Sequence, residues 1–163
     1  MNRIHSKVRQ SGIAVIEFTI VATVLLLVLF TIMDAGRYMY TSQILNDMTR
    51  QAARLATVCQ VGDPDIATNA SVTANAPSSY QSTSMVIEYL DKDGVKLTSP
   101  ETKYDEIAFV RATVKDVGYQ SFSLLPLFTS SDAFPDYVTE IPAENLGVLR
   151  ETKNRTGDKK TDC

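Results

Sequence analysis

Residues Ile13 to Met33 are 21 consecutive positions carrying a single charge, Glu17. At 1.5 Å of rise per residue, such a helix is about 31 Å long, the thickness of a bilayer's hydrocarbon core. Nothing else in the chain constrains the fold so strongly. A core helix of a soluble domain is the alternative, but soluble helices rarely run this long without a polar face. The flanks give the run a direction. Arg3, His5, Lys7 and Arg9 precede it with no acid among them, and Asp34 follows it. This asymmetry predicts that residues 1–12 face the cytoplasm and the rest lies across the membrane. A cleaved secretory signal is the other membrane reading. It requires an apolar core of about 7–15 residues and a small-residue cleavage site. The run is longer than that, and no such site follows Met33 before a polar helical pattern begins.

Glu17 is the exception within the run. An ionised carboxylate costs roughly 2.5–3.5 kcal/mol at mid-membrane, and less near an end. Its position near the cytoplasmic end makes a tolerated interfacial Glu one explanation. The other is a cation at the same depth. Gly12 stands between the basic segment and the apolar run, five residues before Glu17. Cleavage between Gly12 and Ile13 would create an α-amino group at Ile13. That amine, on a neighbouring copy, would pair with Glu17, lower the cost of burying both and set axial register between subunits.

Gly12 followed by Ile13, Ala14, Val15, Ile16, Glu17 and Phe18 resembles the class III signal of type IV prepilins: a short basic leader, a cleavage Gly and a hydrophobic helix with Glu at its fifth position. The longer stretch to Val58 resembles the TadE-like family. Asp34, Gly36, Arg37 and Tyr38 fill that family's acidic, Gly-Arg and aromatic positions, and Ala52-Ala53-Arg54 fills its later Ala/Gly-Ala-Arg. Ile13 departs from the more usual Phe, Met or Ala at the first mature position. The resemblance covers residues 9–58. It implies a pilin-like protein of a tight-adherence (Tad, Flp) pilus, a minor pilin or pseudopilin acting by assembly in pilus biogenesis and adhesion. It further implies a prepilin peptidase, other pilin-like subunits and an assembly platform as partners. The implied location is the bacterial inner membrane, single-pass, with the C-terminal domain periplasmic and open to incorporation in a surface pilus. The alternative is an uncleaved, signal-anchored periplasmic binding or scaffold protein, for which Gly12 and Glu17 are incidental.

The remaining chain predicts an α+β fold in which a long N-terminal helix packs on a small antiparallel sheet, as in pilins. Residues 1–12 are the cleavable leader, 13–33 the transmembrane half of the helix and 34–58 its periplasmic half. In that second half Met39, Ile44, Leu45, Met48, Ala52, Leu55 and Ala56 fall on one side. Asp47 and Arg50 stand three residues apart, as neighbours on the helix surface. Gly36 is the one weak point, where a bend is easiest. Gly62-Asp63-Pro64 ends the helix, and residues 59–84 read as loop or linker, with room for a short helix after Pro64. Residues 85–150 form the β-rich domain. Its strand candidates are Met85–Leu90, Ile107–Val117 and Tyr137–Ile141, with Asp91–Gly94 turning back into Val95–Leu97. Tyr119–Leu125 is a further pairing candidate. An apolar cluster spans Phe122 to Phe128, and residues 151–163 read as a charged, mobile tail.

Composition narrows function mainly by exclusion. The chain has 16 basic and 19 acidic residues; without residues 1–12 the basic count falls to 13, for a net charge of −6. An acidic domain is poorly suited to nucleic acid. The only histidine, His5, lies in the leader, so the domain lacks an imidazole for a catalytic triad or a His-based metal site. There is no Gly-rich phosphate loop and no CxxC motif. The sequence therefore predicts no enzyme, no cofactor and no metal. Asp91-Lys92-Asp93-Gly94 resembles the start of a calcium loop but lacks the alternating ligands and terminal Glu, and reads as a hairpin turn. Two cysteines remain, Cys59 at the end of the helix and Cys163 at the last position. In an oxidising compartment they can pair, or each can stay free.

Overall fold

The computed structural model describes residues 11–119 and 134–148. Most of the leader, the Phe122–Phe128 cluster, most of the Tyr119–Leu125 strand candidate and the tail from residue 151 lie outside the described residues.

Helix α1 runs unbroken from Ser11 to Val58, 48 residues, or about 72 Å. Its span contains no proline, and Gly36 does not interrupt it. β-branched residues are frequent in the first half. Threonines there fold their hydroxyls back onto the helix: Thr19, Thr23 and Thr31 each donate to the carbonyl four residues earlier at 2.7–2.8 Å. No side-chain donor is thereby left unsatisfied along that stretch. The helix ends at Val58, and four residues on Gly62 takes a positive φ of +80° in the turn that follows.

Residues 59–84 then cross the domain as loop and short helical turns. Asp63 accepts from the Asp65 amide to start a 3₁₀ turn at Pro64–Ala67, and Asn69 accepts from the Ser71 amide to start α2, Ala70–Thr73. This segment also contributes to the interior. Val61, Ile66 and Val72 are buried, and the Tyr80 hydroxyl donates to the Ala67 carbonyl at 2.9 Å.

Strands β1 (Met85–Leu90), β2 (Phe109–Val114) and β3 (Tyr137–Pro142) form one antiparallel sheet in that order. β2 is shorter than the alternating pattern over residues 107–117 suggests. A 3₁₀ turn at Tyr104–Glu106 precedes it, and Asp116 takes a left-handed φ of 57° shortly after it. Between β1 and β2, Asp91 Oδ1 accepts from the amides of both Asp93 and Val95 at 2.9 Å. That side chain therefore builds the turn.

The core lies between the sheet and the second half of α1. Leu45, Met48, Ala52, Ala53 and Ala56 of the helix face Val110, Ala112 and Val114 of β2, with Met85 and Tyr89 of β1 beside them. Alanines at three of the five helix positions let sheet and helix approach closely. Burying each Val or Leu here contributes about 1.5–3 kcal/mol. Two hydroxyl pairs pin β3 to the helix: Thr49 with Thr139 at 2.9 Å, and Ser42 with Tyr137 at 2.5 Å. Met39 departs from the expected helix face. It is 68 % exposed, whereas Ala53 is fully buried. The sheet covers a narrower strip of helix than the hydrophobic pattern suggests. On the opposite face of the sheet, Glu88, Arg111 and Glu140 share a register row, with Arg111 paired to Glu140 at 2.9 Å.

Candidate functional site: the apolar half of the helix and its junction with the domain

The first half of α1 buries almost nothing against the rest of the protein. Ile13, Val15, Ile16, Phe18, Ile20, Val21, Val24, Leu25, Ile32 and Met33 are all more than half exposed. Among the described residues one helix is long and apolar enough to cross a membrane, and its apolar window is entirely unburied. An apolar surface of this length left outside the core requires an apolar surrounding, either lipid or other helices. This suggests single-pass membrane anchoring.

Gly12 and Ile13 lie at the start of this surface. A side chain at Gly12 would meet nothing within 4 Å, so packing in the fold places no demand for glycine there. Glu17 lies between one and two turns on, is exposed, and has no cationic partner among the described residues. Cys59 is at the opposite end of the helix, fully buried, and is not a free cysteine. Cys163 lies outside the described residues.

Between the two halves of the helix is a junction that the sequence reading did not assemble. Asp34, the first residue after the apolar run, is 2 % exposed. The Tyr119 hydroxyl donates to its Oδ1 at 2.7 Å and lies 2.9 Å from its backbone carbonyl oxygen. Around this contact Tyr38 stacks on Phe134 with ring centroids 4.8 Å apart, and Tyr119 meets both rings edge-on. Burial raises the Tyr119 phenol to about 12, with the Asp34 hydrogen bond and negative charge adding to it and Arg37 opposing it. The only sequence signal for the junction is an acid directly after an apolar run. Its partner, 85 residues away, is invisible to local pattern.

At the other end, Leu146 donates its amide to the Thr57 carbonyl at 2.8 Å. Gly147, at φ +76°, passes so close that an added Cβ would lie 2.7 Å from the Gln60 backbone. The domain is thus fastened to the helix at both ends of its second half. Among the described residues no group of three or more His, Cys, Asp or Glu side chains is placed to hold a metal ion.

A long, half-exposed apolar helix laid on a small antiparallel sheet defines an α+β architecture. A family model for TadE-like proteins matches residues 12–54, almost all of α1. The match agrees with the resemblance seen in the sequence over this stretch, and likeness to that family suggests a pilus-associated, pilin-like protein. No curated protein and no solved structure matches the chain.

Proposed function

We propose that this protein is a minor pilin or pseudopilin of a Tad-type pilus system, and that it acts by assembly. In this reading a prepilin peptidase removes residues 1–12, the apolar half of α1 packs among the helices of other pilin-like subunits, and the C-terminal domain lies on the periplasmic side, in contact with the subunit or platform next to it. Glu17 pairs with the new α-amino group of a neighbouring subunit. A Cys59–Cys163 disulfide fastens the tail to the end of the helix. The observation that carries the proposal is a TadE-like helix whose apolar run is almost entirely exposed and whose one carboxylate within that run, Glu17, has no cation beside it among the described residues. Such a helix requires partners at the depth of Glu17.

The test is the intact mass of membrane-extracted protein from cells with an active prepilin peptidase, together with co-purification of pilin-like subunits. The mass should lack Met1–Gly12, and Gly12→Val should retain them. Glu17→Ala should leave insertion, cleavage and the domain's melting temperature unchanged but reduce subunit co-purification. Retention of residues 1–12 in the wild type would instead favour an uncleaved, signal-anchored periplasmic protein. Normal assembly by the Ala variant would remove the charge pair from the account.

A further inference from the structure

We infer that a cleft beside Arg37 is a binding subsite for a phospholipid headgroup phosphate, holding the domain against the membrane surface. The inference rests on the membrane-spanning reading of Ile13–Met33 but is independent of pilus assembly. The cleft has a volume of about 80 Å³, a size that suits a single phosphate group, and its lining includes Arg37, Ser78, Ser79 and Gly118. Among the described residues none of those lining it is acidic.

Its donors are unspent. Arg37 is exposed and forms no ion pair among the described residues. Ser78 and Ser79 occupy the middle of a turn closed by the Tyr80 amide donating to the Pro77 carbonyl at 2.9 Å. Neither their amides nor their hydroxyls have a hydrogen-bond partner among the described residues. The other two hydroxyls in the lining are already committed as donors, Thr41 to the Arg37 carbonyl and Tyr119 to Asp34. The nearest placed carboxylate in sequence, Asp34, is buried, bonded to Tyr119 and outside the lining. A guanidinium, two free backbone amides and two serine hydroxyls able to donate thus line one small space, a set that can meet a phosphate oxygen cluster.

Depth selects the source of that phosphate. Arg37 lies four residues beyond Met33, about 6 Å along the helix axis. The headgroup layer extends about 5–7 Å beyond the hydrocarbon core. The cleft therefore opens at the level of the phosphates in the leaflet where the helix emerges. An arginine at this depth reaches the phosphate layer directly, where its guanidinium pairs with phosphate oxygens through charge-assisted hydrogen bonds.

The test uses the full chain in nanodiscs of phosphatidylcholine with a minority of phosphatidylglycerol, followed by native mass spectrometry of lipids retained on release. One phospholipid should remain bound to the wild type. Arg37→Gln should lower its retention about tenfold, as expected for loss of one charge-assisted partner. Ser78→Ala/Ser79→Ala should lower it by less, with Arg37 untouched. Circular dichroism melting of both variants should match the wild type, which separates lost binding from lost folding. Equal retention by wild type and Arg37→Gln would overturn the inference. Displacement of the lipid by inorganic phosphate alone would overturn the lipid assignment in favour of a free-anion site. Failure of the wild type to enter nanodiscs at all would overturn the membrane reading beneath it.

Discussion

At the scale of single residues, the most informative side chain is Tyr119, because its hydroxyl spends its proton on a buried carboxylate. Removing that hydroxyl leaves Asp34 short of a donor in a site closed to water. Tyr119→Phe should therefore destabilise the domain by about 1–3 kcal/mol, measured as a shift in chemical denaturation midpoint without a change in slope. The same residue sets an alkaline limit. The Tyr119 phenol is raised from 10.0 to about 12 in the folded protein. Its stabilising contribution is complete below the unfolded value and is lost as pH rises from about 10 to about 12. Alkaline unfolding should accordingly be steep in that window and shallower in Tyr119→Phe. Asp34 itself was legible in the sequence only as the boundary of the apolar run. Its hydrogen-bond partner Tyr119 lies 85 residues away, so no local pattern reports the contact.

At the scale of elements, α1, β1 and the middle of β2 were legible because their signals are local. An apolar run followed by a 3.6-residue pattern specifies the helix, a short apolar run before an Asp/Gly turn marks β1, and alternation marks β2. The limits of β2 were less visible, since a 3₁₀ turn and a left-handed Asp116 trim a pattern that continues in the sequence. The sequence left room for a short helix after Pro64, where helical turns do form, but the linker-like composition of residues 59–84 hid that Ile66 and Val72 anchor them in the core. Two of the positive-φ glycines, Gly94 and Gly147, separate backbone strain from crowding. Both sit at φ +76°, but Gly94 faces open space while Gly147 abuts the Gln60 backbone. Gly94→Ala should cost about 1 kcal/mol from conformation alone. Gly147→Ala adds a backbone collision and should cost about 2–5 kcal/mol. Thermal melting of the two variants side by side should show that order, and equal shifts would mean that the chain at Gly147 moves aside at little cost.

For the molecule as a whole, the α+β architecture and the division into an exposed apolar half and a packed half followed from the sequence, because one helix dominates both. The proposed Cys59–Cys163 bridge belongs to this scale, since it would close a loop of about 100 residues, for which chain entropy allows up to roughly 4–5 kcal/mol. Peptide mapping under non-reducing conditions of protein from an oxidising compartment should yield the linked pair, and reduction should lower the melting temperature. Free alkylation of both thiols without reductant would show that the tail is untethered. The two-ended attachment of the domain has a mechanical consequence. Tyr119 grips the helix at Asp34, and Leu146 grips it at Thr57. A pull or twist applied along the rod is then shared by both grips and by the packed sheet between them. The domain is loaded in shear, with its contacts resisting together, and cannot be peeled away from one end a contact at a time.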